Sequence, residues 1–438
     1  MIRLPHPATT AGAMAGSWIA LAPSLLPRSA AVEAGILILL TAIGALAGGA
    51  IALAGPRRWR RLDGGSRRWA LGIAMGLGIA GVTQAVHWQN ALRAALPAPQ
   101  VDAGWIAATA IAPVITLTVG MLVTHAAAAA ARWLWERHRM VTGAIAAAVG
   151  VLAAAVPGVA SAATTAAAPH STVAADFRSA AARPGSLRVY EPITSAPYPD
   201  RARNLVRQWE SRGGMQRRAV VIAVPTGSGW VDGDALAGFE QRFDGDVGVL
   251  AMQYADEPSW RAFVGGTGPA RESSTALARA VVAAVKSTEP HHRPAVYIYG
   301  QSLGAIGADA ARSAVTTDGD AAVICQTVLA GPPAGTVRRH DPDTLYLLNG
   351  SDPVTHWRPS IIWSPPTDPA AASHDLPRPR WLPLVSFLST SADLLGALSF
   401  PAGHGHQYGT EQGTRVRGCA AGAPGRGVVQ PIGPRAAS

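Results

Sequence analysis

Five apolar stretches, at about 9–26, 32–54, 69–87, 104–131 and 141–163, succeed one another through the first third of the chain, with polar residues gathered in the gaps. Each runs about 18 residues or more with essentially no charge, the length a helix needs to cross a bilayer core, and together they predict five spans. The first is the least regular, because Pro23 and Pro27 interrupt its end. Residues 164–186 are rich in Ala, Ser, Thr and Pro without sustained periodicity and read as a linker. From 187 onward short β-rich runs alternate with helical stretches, which is the pattern of a mostly parallel sheet with helices on both faces. Strands are predicted at 186–190, 219–224, 247–252, 295–299, 325–330 and 344–348, and helices at 200–212, 273–285 and 303–314. The expected organisation is a transmembrane domain over 1–163, a linker over 164–186 and an α/β domain over 187–438.

Charge adds an orientation. The formal net charge is +10, and much of the excess lies in two clusters: Arg57, Arg58, Arg60, Arg61, Arg67 and Arg68 after the second stretch, and Arg132, Arg137, His138 and Arg139 after the fourth. Clusters of this kind stay in the cytoplasm. Five spans with the amino terminus inside then put everything after Ala163 on the far side. No basic run interleaved with aromatics is present, so nucleic acid is not an expected partner.

Trp59, Trp69, Trp88, Trp105, Trp133 and Trp135 lie near span ends, as interfacial anchors do. Gln84, His87 and His125 read as helix-packing polar residues, and no buried Asp or Glu is expected inside a span, which argues against a transporter. Ala160-Ser161-Ala162 closes the fifth stretch with the grammar of a signal-peptidase site, an alternative in which the later domain is released.

The candidate chemistry begins at Val296–Ala310, VYIYGQSLGAIGADA: a β-rich run, a Gly-Gln-Ser-Leu-Gly turn, then small helical residues. This is a nucleophile elbow with Ser302 at its apex, where a strained turn exposes the hydroxyl beside a base. Asp352 follows the 344–348 strand within Asn349-Gly-Ser-Asp-Pro353, where such a fold keeps its acid, although a plain turn before Pro353 reads the same way. Asp393 is a weaker candidate in helical surroundings. His404 and His406 share a glycine-rich loop and one side of an extended segment; His404 is the favoured base and His406 the alternative.

The amide of Leu303, with those of Gly227, Ser228 and Gly229 in the Val224-Pro-Thr-Gly-Ser-Gly-Trp230 loop, is the expected oxyanion hole. That loop lacks the Gly-Lys-Ser/Thr of a phosphate cradle. Trp230, Trp260, Trp357, Trp363 and Trp381 are candidates for an acyl groove or for packing. Cys325 and Cys419 both fall in the exported part, which permits a disulfide without demanding one. His291, His292, His340, His356 and His374 are scattered, so no metal site and no cofactor is expected.

Several segments together resemble a bacterial family of membrane-anchored α/β-hydrolases, the alpha/beta-hydrolase 9 type. They are Leu21-Ala-Pro-Ser-Leu-Leu-Pro27, Pro225-Thr-Gly-Ser-Gly-Trp-Val-Asp232, Met252-Gln-Tyr254, Pro258-Ser-Trp260, the Ser302 elbow, Ala330-Gly-Pro-Pro333, Ser351-Asp-Pro-Val354, Arg380-Trp-Leu-Pro383 and Gly403-His-Gly-His-Gln-Tyr-Gly409. The resemblance implies a multi-helix membrane domain before a hydrolase domain, and functional roles for Ser302, Asp352 and one loop histidine. Gln301 departs from it, standing where an acidic residue is expected, as does Ala255-Asp-Glu257 in place of a more apolar run.

The expectation is a membrane-anchored serine hydrolase of the plasma (inner) membrane, acting on an ester or other acyl substrate, with the lipid bilayer as partner and its catalytic domain outside the cytoplasm. An acyltransferase to envelope lipid or glycan, and a non-catalytic sensor or scaffold, are the alternatives. Nothing in the sequence sets an oligomeric state.

Overall fold

The computed structural model describes residues 4–56, 64–137, 170–179, 182–338, 342–366 and 376–419. The fifth apolar stretch, Trp59, Ala160-Ser161-Ala162, His340 and His374 lie outside these residues, as do the side chains of His125, Trp133 and Trp135. The chain divides into two units. One holds 1–165 together with 359–366 and 375–397; the other holds 166–358, 367–374 and 398–438. The unit that holds the amino-terminal helices is therefore not a simple amino-terminal block, since it takes in residues 359–366 and 375–397.

In the first unit, helices Ala30–Ala54, Gly64–Ala95 and Ala103–Val123 within Ala103–Arg137 are long and apolar enough to cross a membrane. The first expected span is instead the 14-residue helix Pro7–Ala20. At 1.5 Å per residue it reaches only about 21 Å, and the irregular Pro-Ser-Leu-Leu-Pro segment follows it.

Glycines join this helix to the next. A Cβ at Gly12, Gly16, Gly44 or Gly48 would overlap a backbone carbonyl of the opposite helix. The two Gly-x-x-x-Gly pairs thus let the backbones touch, a packing suited to lipid, where close contact replaces the hydrophobic drive. The hydroxyls of Ser17 and Thr41 share a hydrogen bond of 2.8 Å at the same seam.

A polar cluster closes one end of this unit, and it overturns the expectation that no acidic residue is buried at a span. Glu33, in the first turn of Ala30–Ala54, and Asp393, at the end of helix Val385–Asp393, are both buried. Both pair with the buried Arg28, at 3.3 and 2.8 Å. Asp393 is thus occupied in a structural ion pair. Its other oxygen accepts from the Leu25 amide, and the Arg28 guanidinium also donates to Ser389. Trp88 and Trp105 donate to the Ser24 and Arg28 carbonyls, anchoring the same loop from two further helices.

The second unit is built on a six-stranded parallel sheet in the order β1-β3-β2-β4-β5-β6: β1 Leu187–Glu191, β2 Ala219–Val224, β3 Val247–Met252, β4 Ala295–Gln301, β5 Ile324–Ala330 and β6 Thr344–Leu347. Its central strands are buried on both faces, which is why they read as unbroken apolar runs. Side-chain alternation sorts them into two cores. Val220, Ile222, Val296 and Ile298 pack with helices Tyr198–Ser211, Gly268–Lys286 and Leu303–Thr317, whereas Val221, Ala223, Tyr297 and Tyr299 pack with Phe177, Leu236 and Phe239 on the other face.

Phe177 belongs to helix His170–Ser179, so the expected linker contains an ordered helix whose apolar side joins the core. Chain order reverses between β2 and β4, with β3 lying on one side and β5 on the other. The crevice at their carboxyl ends is where sheets of this kind bind ligands. Cys325 and Cys419 form a disulfide that ties the end of the described chain to β5.

Candidate active site

Ser302 follows β4 and precedes helix Leu303–Thr317 with φ 55° and ψ −123°, a conformation an L-residue rarely adopts. Such backbones cost of order 1–3 kcal/mol and persist only where the surroundings hold them. Here the Ser302 amide donates to the Ala330 carbonyl at the end of β5, at 2.9 Å. Close approaches complete the hold. A Cβ on Gly300 would strike the Gly304 backbone, and one on Gly304 would strike the Val224 carbonyl at the end of β2. A serine before a helix ordinarily caps it with its side chain, but Ser302 makes no such bond. Ser302 is half-buried, while its neighbours Gln301 and Leu303 are buried.

Asp352 lies just past β6, fully buried, and works in two directions. Its Oδ1 accepts from the Val354 amide at 2.9 Å and caps helix Pro353–His356. Its Oδ2 accepts from His406 Nδ1 at 2.7 Å and from the Tyr408 hydroxyl at 2.8 Å. Turn former and imidazole partner are therefore both true of this residue.

The ring that meets Asp352 belongs to His406. His404 lies two residues earlier, half-buried, and its main chain shapes the loop through bonds to Pro401 and Gln407. With Nδ1 donating to the carboxylate, His406 Nε2 carries the free lone pair, and among the described residues that atom has no hydrogen-bond partner.

The His406 loop is stitched to its surroundings. Asn349 Nδ2 donates to the Gly405 and Gln407 carbonyls, both at 2.9 Å, and the Gly405 amide donates to Ser351 Oγ at 2.8 Å. Gln301 Nε2 donates to the His406 carbonyl at 3.2 Å, which brings the histidine's backbone to the residue preceding Ser302. Gly331 makes room for all of this. At φ 50° it has no side chain, and a Cβ there would meet the His406 ring at 2.7 Å, Tyr408 at 2.8 Å and Asp352 at 2.9 Å.

The loop after β2 runs beside the elbow because β2 and β4 are neighbours, Val224 pairing with Gly300. Within it the Gly229 amide donates to Thr226 and the Thr226 amide to Trp230, each at 2.9 Å. Gly229 is therefore engaged inside its own turn. Among the described residues no acceptor is recorded for the amides of Gly227, Ser228 or Leu303. Tyr190 donates to the Gly229 carbonyl at 2.9 Å and fixes the turn from beneath.

Burial pushes the Tyr190 hydroxyl upward, so it stays a neutral donor. Burial likewise pushes Tyr299 well up, and Asp232 above the usual carboxylate range despite its bonds from Gln412 and the Asp234 amide. Tyr299, Gln412 and Asp232 form one chain. Asp232 accepts from Gln412, and Tyr299 donates to the Gln412 carbonyl oxygen, at 2.7 Å each.

The segments singled out in the sequence contain Asn349, Ser351, Tyr408 and Gly331 without giving any of them a supporting role, and Gln412 lies outside them. A grouping of Glu289, His291 and His292, with ligand atoms within 4.8 Å of one another, departs from the expected scatter of histidines; all three are exposed and precede β4. His356 is buried against the Gly350 carbonyl.

A parallel sheet carrying a serine at a sharp strand-to-helix elbow defines the α/β-hydrolase class. The chain belongs to the alpha/beta-hydrolase family: the family model matches residues 187–340 and 334–421, and a model of the family's amino-terminal region matches residues 21–188. Comparison with curated proteins and with solved structures gave no match.

Proposed function

We propose that this protein is a membrane-anchored serine hydrolase acting on an ester or other acyl substrate, with Ser302 as nucleophile, His406 as base and Asp352 as the acid that orients it. The observation that carries this reading is the 2.7 Å bond from His406 Nδ1 to Asp352, beside an elbow whose serine is held at φ 55°. In the proposed cycle His406 Nε2 takes the proton from Ser302 Oγ as that oxygen attacks the acyl carbonyl carbon. Asp352 stabilises the imidazolium that forms. The carbonyl electrons move onto oxygen, facing the Leu303 amide at the start of a helix, where the helix dipole favours negative charge, and the Gly227 and Ser228 amides of the loop after β2. Collapse expels the leaving alkoxide, which takes the proton from His406. Water, deprotonated by the same nitrogen, then releases the acid and restores Ser302.

The reading includes a side of the membrane. The arginine clusters flank the ends of the spans opposite the loop that holds Arg28, which puts Arg28 and the 375–397 strip outside the cytoplasm. The hydrolase unit resumes at Leu398, directly after that strip. The Cys325–Cys419 disulfide fits an oxidising compartment.

The test is covalent labelling of the full-length protein in membranes with a fluorophosphonate probe, alongside Ser302→Ala, His404→Ala and His406→Ala. The expected result is strong labelling of the parent, none in Ser302→Ala, loss in His406→Ala and retention in His404→Ala. A folded parent that takes no label would refute the proposal.

A further inference from the structure

The strip that the end of the chain contributes to the membrane unit has an unusual surface. Trp363, Leu382, Leu384 and Leu395 are 67%, 50%, 49% and 42% exposed. Leu384 is the most telling, because it holds φ 61° and still leaves half its side chain outside the protein. A strained backbone that presents leucine outward gains nothing from the protein's own core.

Arg380 is exposed there, and the Asp393 carboxylate is buried against Arg28. Hydrogen bonds from Trp381 to the Ile361 carbonyl and from Leu384 to the Ile362 carbonyl, at 2.9 and 2.8 Å, pin the two pieces into one element.

Its location names the partner. Arg28 and Ser389 fasten the element to the loop before Ala30–Ala54, and the same loop receives Trp88 and Trp105 from the neighbouring ends of the other two membrane-length helices. The exposed Trp and Leu side chains therefore sit where the lipid-facing surface of three spans meets water. Apolar and aromatic side chains interleaved with arginine are the composition of a segment that lies in the headgroup layer.

We propose that residues 359–366 and 376–397 form a monotopic element seated in the bilayer interface, on the face opposite the arginine clusters, with Trp363, Leu382, Leu384 and Leu395 among the lipid and Arg380 at anionic headgroups. The inference rests on the helices crossing a bilayer and is independent of the chemistry at Ser302. It makes the chain touch lipid twice, once through its spans and once through the strip that leads into the His406 loop.

The experiment uses the full-length protein in vesicles of phosphatidylcholine and phosphatidylglycerol, with a nitroxide on single added cysteines, since the native pair is joined. Trp363→Cys and Leu384→Cys are compared with Ile43→Cys, lipid-facing within Ala30–Ala54, and with the exposed Glu289→Cys. Relaxation by oxygen against a water-soluble nickel complex should put both test sites about 5–10 Å below the headgroup boundary. Water-like values at both while Ile43→Cys reads as lipid, or shielding from both reagents as in a protein interface, would overturn the proposal. A water-like Ile43→Cys would remove the spanning reading and this inference with it, leaving fluorophosphonate labelling of Ser302 unaffected.

Should the cysteine variants fail to fold, quenching by lipid brominated near the carbonyl end decides instead. It should fall in Trp363→Phe relative to the parent, and an unchanged fraction counts against the proposal.

Discussion

Gln301 and His406 are joined across the elbow: the Gln301 side-chain amide donates to the His406 main-chain carbonyl at 3.2 Å, linking residues 105 positions apart. The oxygen of the same side chain lies 3.4 Å from the Tyr299 hydroxyl, whose one proton goes to Gln412 at 2.7 Å. A carboxylate at 301 could accept but not donate, so the residue that departs from the family expectation is the one able to hold this loop.

Replacing Gln301 by Glu should therefore displace the His406 loop without touching Ser302. Loss of a buried donor costs about 1–3 kcal/mol, which predicts a fluorophosphonate labelling rate lower by ~10- to 100-fold. Gln301→Met, which carries no charge, should lose less. Equal rates in the parent and in Gln301→Glu would remove the positioning role.

Asp352 has three donors, and they should be unequal in effect. Asp352→Asn leaves the wrong imidazole tautomer, and labelling should fall by ~10⁴-fold, as when a triad acid is amidated. Tyr408→Phe removes one neutral donor to a carboxylate that keeps two others. There the loss should be only several-fold, about 1 kcal/mol. Measuring both rates on membranes separates tautomer control from simple support.

The Arg28 cluster predicts an asymmetry in stability. Arg28→Met strands two buried carboxylates, whereas Asp393→Leu leaves Arg28 paired with Glu33. Breaking a buried pair from one side costs about 3–5 kcal/mol, so both variants lose thermal stability in mild detergent and Arg28→Met loses more. The reverse order would mean that Glu33 does not share the charge.

Residues 325 and 419 stand 94 positions apart, and the disulfide between them closes that length of chain. Chain-entropy reasoning gives a loop of this size about 4–5 kcal/mol. Cys325→Ser should lower the denaturant midpoint accordingly, and protein prepared under reducing conditions should match it.

Much of the second unit was legible in advance. Parallel strands buried on both faces leave unbroken runs such as Ala219–Val224, and the elbow announces itself as a Gly-x-Ser-x-Gly turn between a β-rich run and small helical residues, although the contacts that demand Gly304 come from Val224 on a distant strand. Which of His404 and His406 meets Asp352 was not legible. An extended segment would put both on one side, but the loop turns with Gly403 and Gly405 at positive φ, and it is held by Asn349, Ser351 and Gly331, each more than fifty residues earlier in the chain.

Helix His170–Ser179 escaped notice because Val173 and Phe177 are few among small residues, so periodicity is faint there. The short helix Pro7–Ala20 reads as a longer apolar run until Pro23 and Pro27 are given full weight. Asp393 reads as an ordinary helical residue, because its partner Arg28 is 365 residues away.

That separation also sets a timetable. At ~5–20 residues per second, synthesis delivers Asp393 roughly 20–70 s after Arg28, over a separation of 365 residues. All six strands of the sheet are made in the interval. The Arg28 end of the pair thus waits until the whole sheet has been made, and a nascent chain halted before residue 393 leaves the Arg28 cluster unfinished while its sheet is complete.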